Sequence, residues 1–133
     1  MHYPNDTHYS EHFSRAELDC HCGCTTPTAV GVNLRNLTVH LEKLRTLAGG
    51  PLHVNDAYRC PKENTRVGGA KSSQHMQGKA ADLDVGDRTA AAMGALAAKV
   101  PAFNLGGIGL YPSQHFVHVD YRGEMARWDE AHQ

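Results

Sequence analysis

Two short segments combine histidine and aspartate side chains at spacings that could bind a metal or carry a proton. SSQHMQGKAADLD (72–84) sets His75 and Asp82 seven residues apart around Gly78, and HFVHVD (115–120) contains His115, His118 and Asp120. A chain that turns at Gly78 and comes back can bring His75 and Asp82 together, although less rigidly than two histidines one helical turn apart. On an extended 116–121 segment Phe116, His118 and Asp120 share one face, and on an extended 80–85 segment Ala80, Asp82 and Asp84 share one. If these strands are neighbours, imidazole and carboxylate groups converge where an apolar core would not put them, because unpaired buried charge is costly. A cation offsets that cost. Zinc takes about four N, O or S ligands and in catalytic sites leaves one position open. His75, Asp82 and His118 are therefore the candidate ligands of one zinc ion. Asp84 and Asp120 are candidates to orient a ligand imidazole or hold an arginine, and Arg59 and Ser73 are candidate substrate contacts. Alone, His118 would read as a core histidine and Asp82 as a turn carboxylate; only the combination points to a metal.

The surrounding elements must bring these segments together. Residues 1–12 read as a flexible polar arm, and 13–133 as one domain. Ser14-Arg15-Ala16-Glu17 has the form of a capping box opening a short helix. TTPT (25–28) reads as loop. From Asn33, leucines 34, 37, 41, 44 and 47 recur at three and four residues, predicting the inward face of an amphipathic helix that Gly49-Gly50-Pro51 stops. Residues 52–58, 80–85 and 116–121 read as strands, and 106–112 as a strand edge and turn. Pro61 starts a short helical turn broken at Val67-Gly68-Gly69. Asp87 is the expected cap of an alanine-rich helix over 88–99, with Met93, Leu96 and Val100 inward. Trp128, the only tryptophan, is expected to cover an edge of the core. The pattern is α+β: a small, mainly antiparallel sheet with flanking helices.

Composition narrows the functional classes. Thirteen basic residues face fourteen acidic ones, and no basic run marks a nucleic-acid face. No stretch approaches the ~20 apolar residues needed to cross a bilayer, so membrane insertion is not expected. MHYPNDTHYSEHF lacks the basic start and apolar stretch of a secretory signal. Monomer is the default expectation. Cys20, Cys22 and Cys24 in CHCGC, with distant Cys60, leave three readings open: a disulfide from Cys60 to one of the others, free buried thiols, or a second metal site. The x1 spacing departs from the usual C-x2-C pairs.

YRCPKEN (58–64), VGGAKSSQHMQGKAADLD (67–84), GGIGLYP (106–112), FVHVDYRG (116–123) and ARW (126–128) together resemble the zinc D-Ala-D-Ala carboxypeptidases, peptidase family M15, over roughly residues 12–128. HFSRAELDCHCGC is similar to the small single-domain branch of bacteria and phage lysins. The resemblance implies a Hedgehog/DD-peptidase-like fold and one catalytic zinc on His75, Asp82 and His118. It implies that Arg59 binds the substrate carboxylate or developing oxyanion and that Ser73 orients substrate. The expected substrate is a peptidoglycan stem peptide, with endopeptidase, endolysin-like cleavage favoured over D-Ala-D-Ala carboxypeptidase action or a non-catalytic wall-binding role. A protein of this type without a signal would be made in the cytoplasm and reach the wall as a phage or prophage lysin or virion component. One position departs: many relatives have Glu or Asp three residues before the last ligand, acting as general base, where this chain has His115. A near-neutral imidazole suits that task, but strand alternation points His115 away from His118 unless it precedes the strand or sits at a bulge. Asp120 is the competing base.

Overall fold

A computed structural model describes residues 7–130. Its centre is a five-stranded sheet in the order β3-β4-β6-β5-β7. The strands are β3 (Val54–Asp56), β4 (Ala80–Asp84), β5 (Gly107–Tyr111), β6 (Phe116–Asp120) and β7 (Ala126–Asp129). Every pairing is antiparallel except the parallel one between β5 and β7, so the sheet is mainly antiparallel, as the patterning predicts. The 106–112 segment supplies an interior strand rather than an edge, because β7 adds beyond it.

The long helix α2 (Thr28–Ala48) begins five residues before the predicted start, inside the expected TTPT loop, with Pro27 at its N-cap. Proline just before the first turn lacks only an N–H that a helix start leaves unpaired anyway. Leu34, Leu37, Leu41 and Leu44 are fully buried, whereas Leu47, expected on the same face, lies beyond the core and is exposed. Each buried leucine contributes roughly 1.5–3 kcal/mol relative to an exposed one. Helix α4 (Ala90–Ala97) packs on β5 and β6. Its cap is Thr89, whose side chain accepts from Ala92 N, and not Asp87. Met93 and Val100 are buried as expected. Short helices α1 (Arg15–Leu18), α3 (Pro61–Arg66) and α5 (Pro101–Asn104) also occur among the described residues. The Ser14–Glu17 capping box is present at α1.

The start of the chain is less loose than its composition suggests. Residues 1–6 of the predicted arm lie outside the described residues, but β1 (His8–Ser10) pairs with β2 (Phe13–Ser14), and Tyr9 is buried. Glu42 of α2 clasps this ribbon, accepting from Ser10 Oγ at 2.6 Å and His12 N at 2.9 Å.

Period-two alternation gives the sheet two unlike faces. Ala81, Leu83, Val117 and Val119 belong to the apolar core with the α2 leucines, Met93 and Phe103. The alternate residues form a row across the opposite face: Asp56 pairs with Asp82, Asp82 with His118, His118 with Gly109, and Gly109 with Trp128. All five strands thus contribute to one row, and the candidate site lies on it.

Candidate metal centre

Each predicted ligand is held by its own element. Asp82 and His118 are direct cross-strand partners on β4 and β6. His75 lies on a 3-10 turn (Gln74–Gln77) that Ser73 opens, its Oγ accepting from His75 N at 3.2 Å, and that Gly78 closes in the left-handed region (φ +75°). The turn lays His75 beside β4. Asp82 Oδ1 is 3.2 Å from His75 Nε2 and 3.2 Å from His118 Nδ1. The three ligand atoms lie within 4.8 Å of one another.

The remaining ring nitrogens are engaged in a way that sets the tautomers. His75 Nδ1 is 2.6 Å from the Ala57 carbonyl oxygen, which can only accept, so Nδ1 carries the proton and Nε2 presents a lone pair to the site. His118 Nε2 is 2.6 Å from Asp120 Oδ2, which directs Nδ1 to the same point. Such carboxylate and carbonyl partners orient the imidazoles of metal sites. Burial pushes the Asp82 carboxyl up, but the adjoining imidazoles of His75 and His118 outweigh it and hold Asp82 well below the usual carboxylate range. Burial lowers the His118 pKa, while the bonds to Asp120 and Asp82 outweigh this and raise it. A metal ion would take the place of the proton that Asp82 and His118 share. Two imidazoles and a carboxylate, with tautomers preset and one side facing a cleft, fit a zinc ion with an open position.

Asp120 is fully buried and heavily bonded. Besides His118 it accepts from Gly107 N at 2.8 Å, from Arg122 Nε at 3.0 Å and from Arg122 Nη2 at 2.7 Å. Burial raises its pKa, but the bonds from His118 and Arg122 bring it below the ordinary value. This carboxylate holds the outer nitrogen of His118 and is absent from the cleft-lining residues. His115 does not reach the site either. It is an exposed residue in the left-handed region (φ 58°) between a 3-10 turn and β6, and its carbonyl accepts from Val85 N at 3.0 Å. Preceding the strand leaves it outside the cleft-lining residues. Asp84 also stands apart: its Oδ1 accepts from Gly86 N at 2.7 Å and closes the turn after β4.

The cleft over the triad has a volume of about 520 Å³. Arg59 and Ser73, the candidate substrate contacts, both line it, with Arg59 Nη2 donating to Ser73 Oγ at 3.4 Å. Arg59 Nε is 3.4 Å from Asp56 Oδ2, within ion-pair range but without hydrogen-bond geometry. That nitrogen is itself buried, so the guanidinium meets the cleft through its Nη groups, one of which donates to Ser73.

The far wall of the cleft is not evident from the sequence. Trp128 does more than cover an edge: its ring lies 5.0 Å from His118, and its Nε1 donates to Tyr111 Oη at 2.8 Å. Tyr111 stacks on Phe116 with centroids 4.4 Å apart. Gly109 makes room for the indole, since a Cβ there would overlap it. The legible signal was that glycine within GGIGLYP, which marks a close approach in a strand. Arg122, tied to Asp120 and stacked over Trp128 at 5.3 Å, completes this wall.

Residues 11–120 match the family model Peptidase M15. The chain belongs to the peptidase M15 family. The match covers all three clustered ligands and Arg59, and stops before β7, so Trp128 and Arg122 extend the cleft beyond the matched segment. A search of curated proteins found no match. Membership of a peptidase M15 family and a His-Asp-His cluster suited to zinc agree with each other.

Proposed function

We propose that this chain is a zinc-dependent peptidase that hydrolyses an amide bond in peptidoglycan stem peptides, with His75, Asp82 and His118 as metal ligands. The observation that carries the reading is the convergence of His75 Nε2, Asp82 Oδ1 and His118 Nδ1 on one point at the floor of a cleft. Bound there, zinc supplies Lewis acidity to polarise the scissile carbonyl and acidify water. Arg59 offers its guanidinium to a carboxylate or developing oxyanion. Ser73 steers Arg59 through its hydroxyl, Asp120 keeps His118 aligned, and the Trp128–Tyr111–Phe116 wall gives the substrate backbone an apolar surface.

A guanidinium lining the same cleft as the three ligands favours a substrate that ends in a carboxylate. This supports D-Ala-D-Ala carboxypeptidase action over the endopeptidase cleavage that the sequence led us to favour. A second reading has one observation behind it. Among the described cleft-lining residues, the only carboxylate and imidazole groups are the three proposed ligands themselves, so no separate general base stands in the cleft. That fits a zinc-bearing domain that binds wall peptides without cutting them.

One experiment separates these outcomes. Zinc-loaded protein is incubated with a synthetic stem pentapeptide ending in D-Ala-D-Ala and with isolated peptidoglycan, with and without chelator, and products are identified by mass spectrometry. Chelator-sensitive release of free D-Ala is expected. New internal amino ends without D-Ala would replace the carboxypeptidase reading with an endopeptidase, and binding without any new amine would replace the enzyme with a wall-binding domain.

A further inference from the structure

We propose that Cys20, Cys22, Cys24 and Cys60 form a second, structural zinc site that fastens the 20–24 loop to the start of α3. All four sulfurs lie within 4.8 Å of one another. Cys20 and Cys22 Sγ are 3.3 Å apart, and Cys22 and Cys60 Sγ are 3.6 Å apart. Four thiolates at Zn–S distances of about 2.3 Å around a tetrahedral ion stand about 3.8 Å from each other, so the observed spacing is close to that of such a cage and far from a bonded S–S pair of about 2.05 Å.

Core packing does not account for the cluster. A structural cysteine is ordinarily a small buried hydrophobe, yet Cys22 and Cys24 are exposed, Cys60 is half-buried and only Cys20 is buried. Local folding serves the convergence instead. Gly23 adopts the left-handed region (φ +83°) and its N–H donates to Cys20 O at 3.1 Å, curling CHCGC so that alternate residues turn to one side. Cys60 N donates to Cys20 Sγ at 3.4 Å and Glu63 N to Cys60 Sγ at 3.4 Å. Backbone donors aimed at sulfur stabilise thiolate charge. Lys62 borders the same hollow, beside what would be a doubly anionic tetrathiolate, while Arg66 there is paired with Glu63 at 2.7 Å. Of the three readings left open by the sequence, one disulfide would use two sulfurs and leave two without purpose. A tetrahedral ion uses all four.

The site also has a structural task. Cys60 follows Arg59 and caps α3, and Tyr58 N bonds to Leu18 O at 2.9 Å. An ion here would lock the α1 segment to the strand end that carries Arg59. The proposal stands independently of the peptidase reading.

The test is metal counting on the full chain purified under reducing conditions and loaded with zinc. Wild type is expected to hold two zinc equivalents, falling to one in Cys22→Ser/Cys24→Ser and to one in His75→Ala/His118→Ala. Cobalt(II) in place of zinc should give thiolate-to-cobalt charge-transfer absorption that the histidine variant keeps and the cysteine variant loses. Should the cysteine variant not fold, the cobalt spectrum of wild type decides alone. The idea is sunk by a chain without thiolate-to-cobalt absorption, whether its mass is lower by two hydrogens per bridge or its four thiols react freely in the native state. Loss of the histidine site alone would leave this absorption intact, so failure of either reading is visible by itself.

Discussion

The histidine–aspartate cluster and the cysteine cluster are both groups of metal-ligating side chains, but they are built in opposite ways. The first is assembled from two central strands and a capped turn, is mostly buried, and has the outer nitrogen of each imidazole fixed by a carbonyl or carboxylate. Its geometry is set before any ion arrives. The second hangs on a loop and a helix cap, is largely exposed, and has only weak N–H to sulfur contacts to hold it. There an ion would organise the protein, rather than the protein organising the site for an ion. A site that must leave a coordination position open for substrate needs rigid support from the fold, whereas a closed site can lend rigidity to its surroundings.

The largest effect that follows is on turnover. His75→Ala should abolish chelator-sensitive hydrolysis of the stem peptide, measured by amine release, while thiolate-to-cobalt absorption stays at its wild-type intensity. A loss of both together would mean the two clusters are one system.

Next comes the preset geometry of the buried cluster. Asp120→Asn should weaken zinc binding by about 10- to 100-fold in chelator competition, the usual consequence of losing a partner that orients a ligand imidazole. An unchanged affinity would show that Asp120 serves Arg122 and Gly107 rather than His118.

A third expectation concerns the support of the N-terminal side, which carries three of the cysteines. Burial pushes Glu42 up, but hydrogen bonds from Ser10 and His12 outweigh it and hold the carboxyl below its ordinary value. A depressed folded-state pKa gives stability that is present above the unfolded value and lost as pH falls through the folded one. Glu42→Gln should therefore cost about 1 kcal/mol at neutral pH, with the gap to wild type closing in denaturant melts below about pH 4. A gap that persists into acid would assign the loss to packing instead.

The smallest effect is expected at His115. His115→Gly relieves a left-handed backbone, so hydrolysis should stay within about twofold of wild type. A drop of about 100-fold or more would restore His115 as general base and require the 112–115 turn to move on substrate binding.

Much of the fold was legible because local patterns encode it directly. The leucine spacing of α2, the Ser14–Glu17 box and the alternation on β4 and β6 each depend on near neighbours along the chain. Where a boundary was misplaced, competing local signals had been resolved by packing. Thr28 joined the helix because proline is tolerated at its start, and Leu47 stayed exposed because the core ends before it. Asp82 and His118 were legible because residue type and face are both written in a strand, and His75 because Gly78 marks the turn that returns it to them. The far wall was not, since Trp128 reaches His118 only through the parallel β5–β7 pairing and the missing side chain of Gly109.

By itself the sequence determined which residues have the chemistry to hold metal and which sheet face His118 and Asp82 share, because side-chain type and two-residue periodicity are properties of the chain. Tertiary structure decided the rest. It buried Asp120 between His118 and Arg122, left His115 facing solvent, and drew Cys60 to the three cysteines of CHCGC. Each of these depends on which distant segments meet, and strand pairing and loop closure settle that only in the folded molecule.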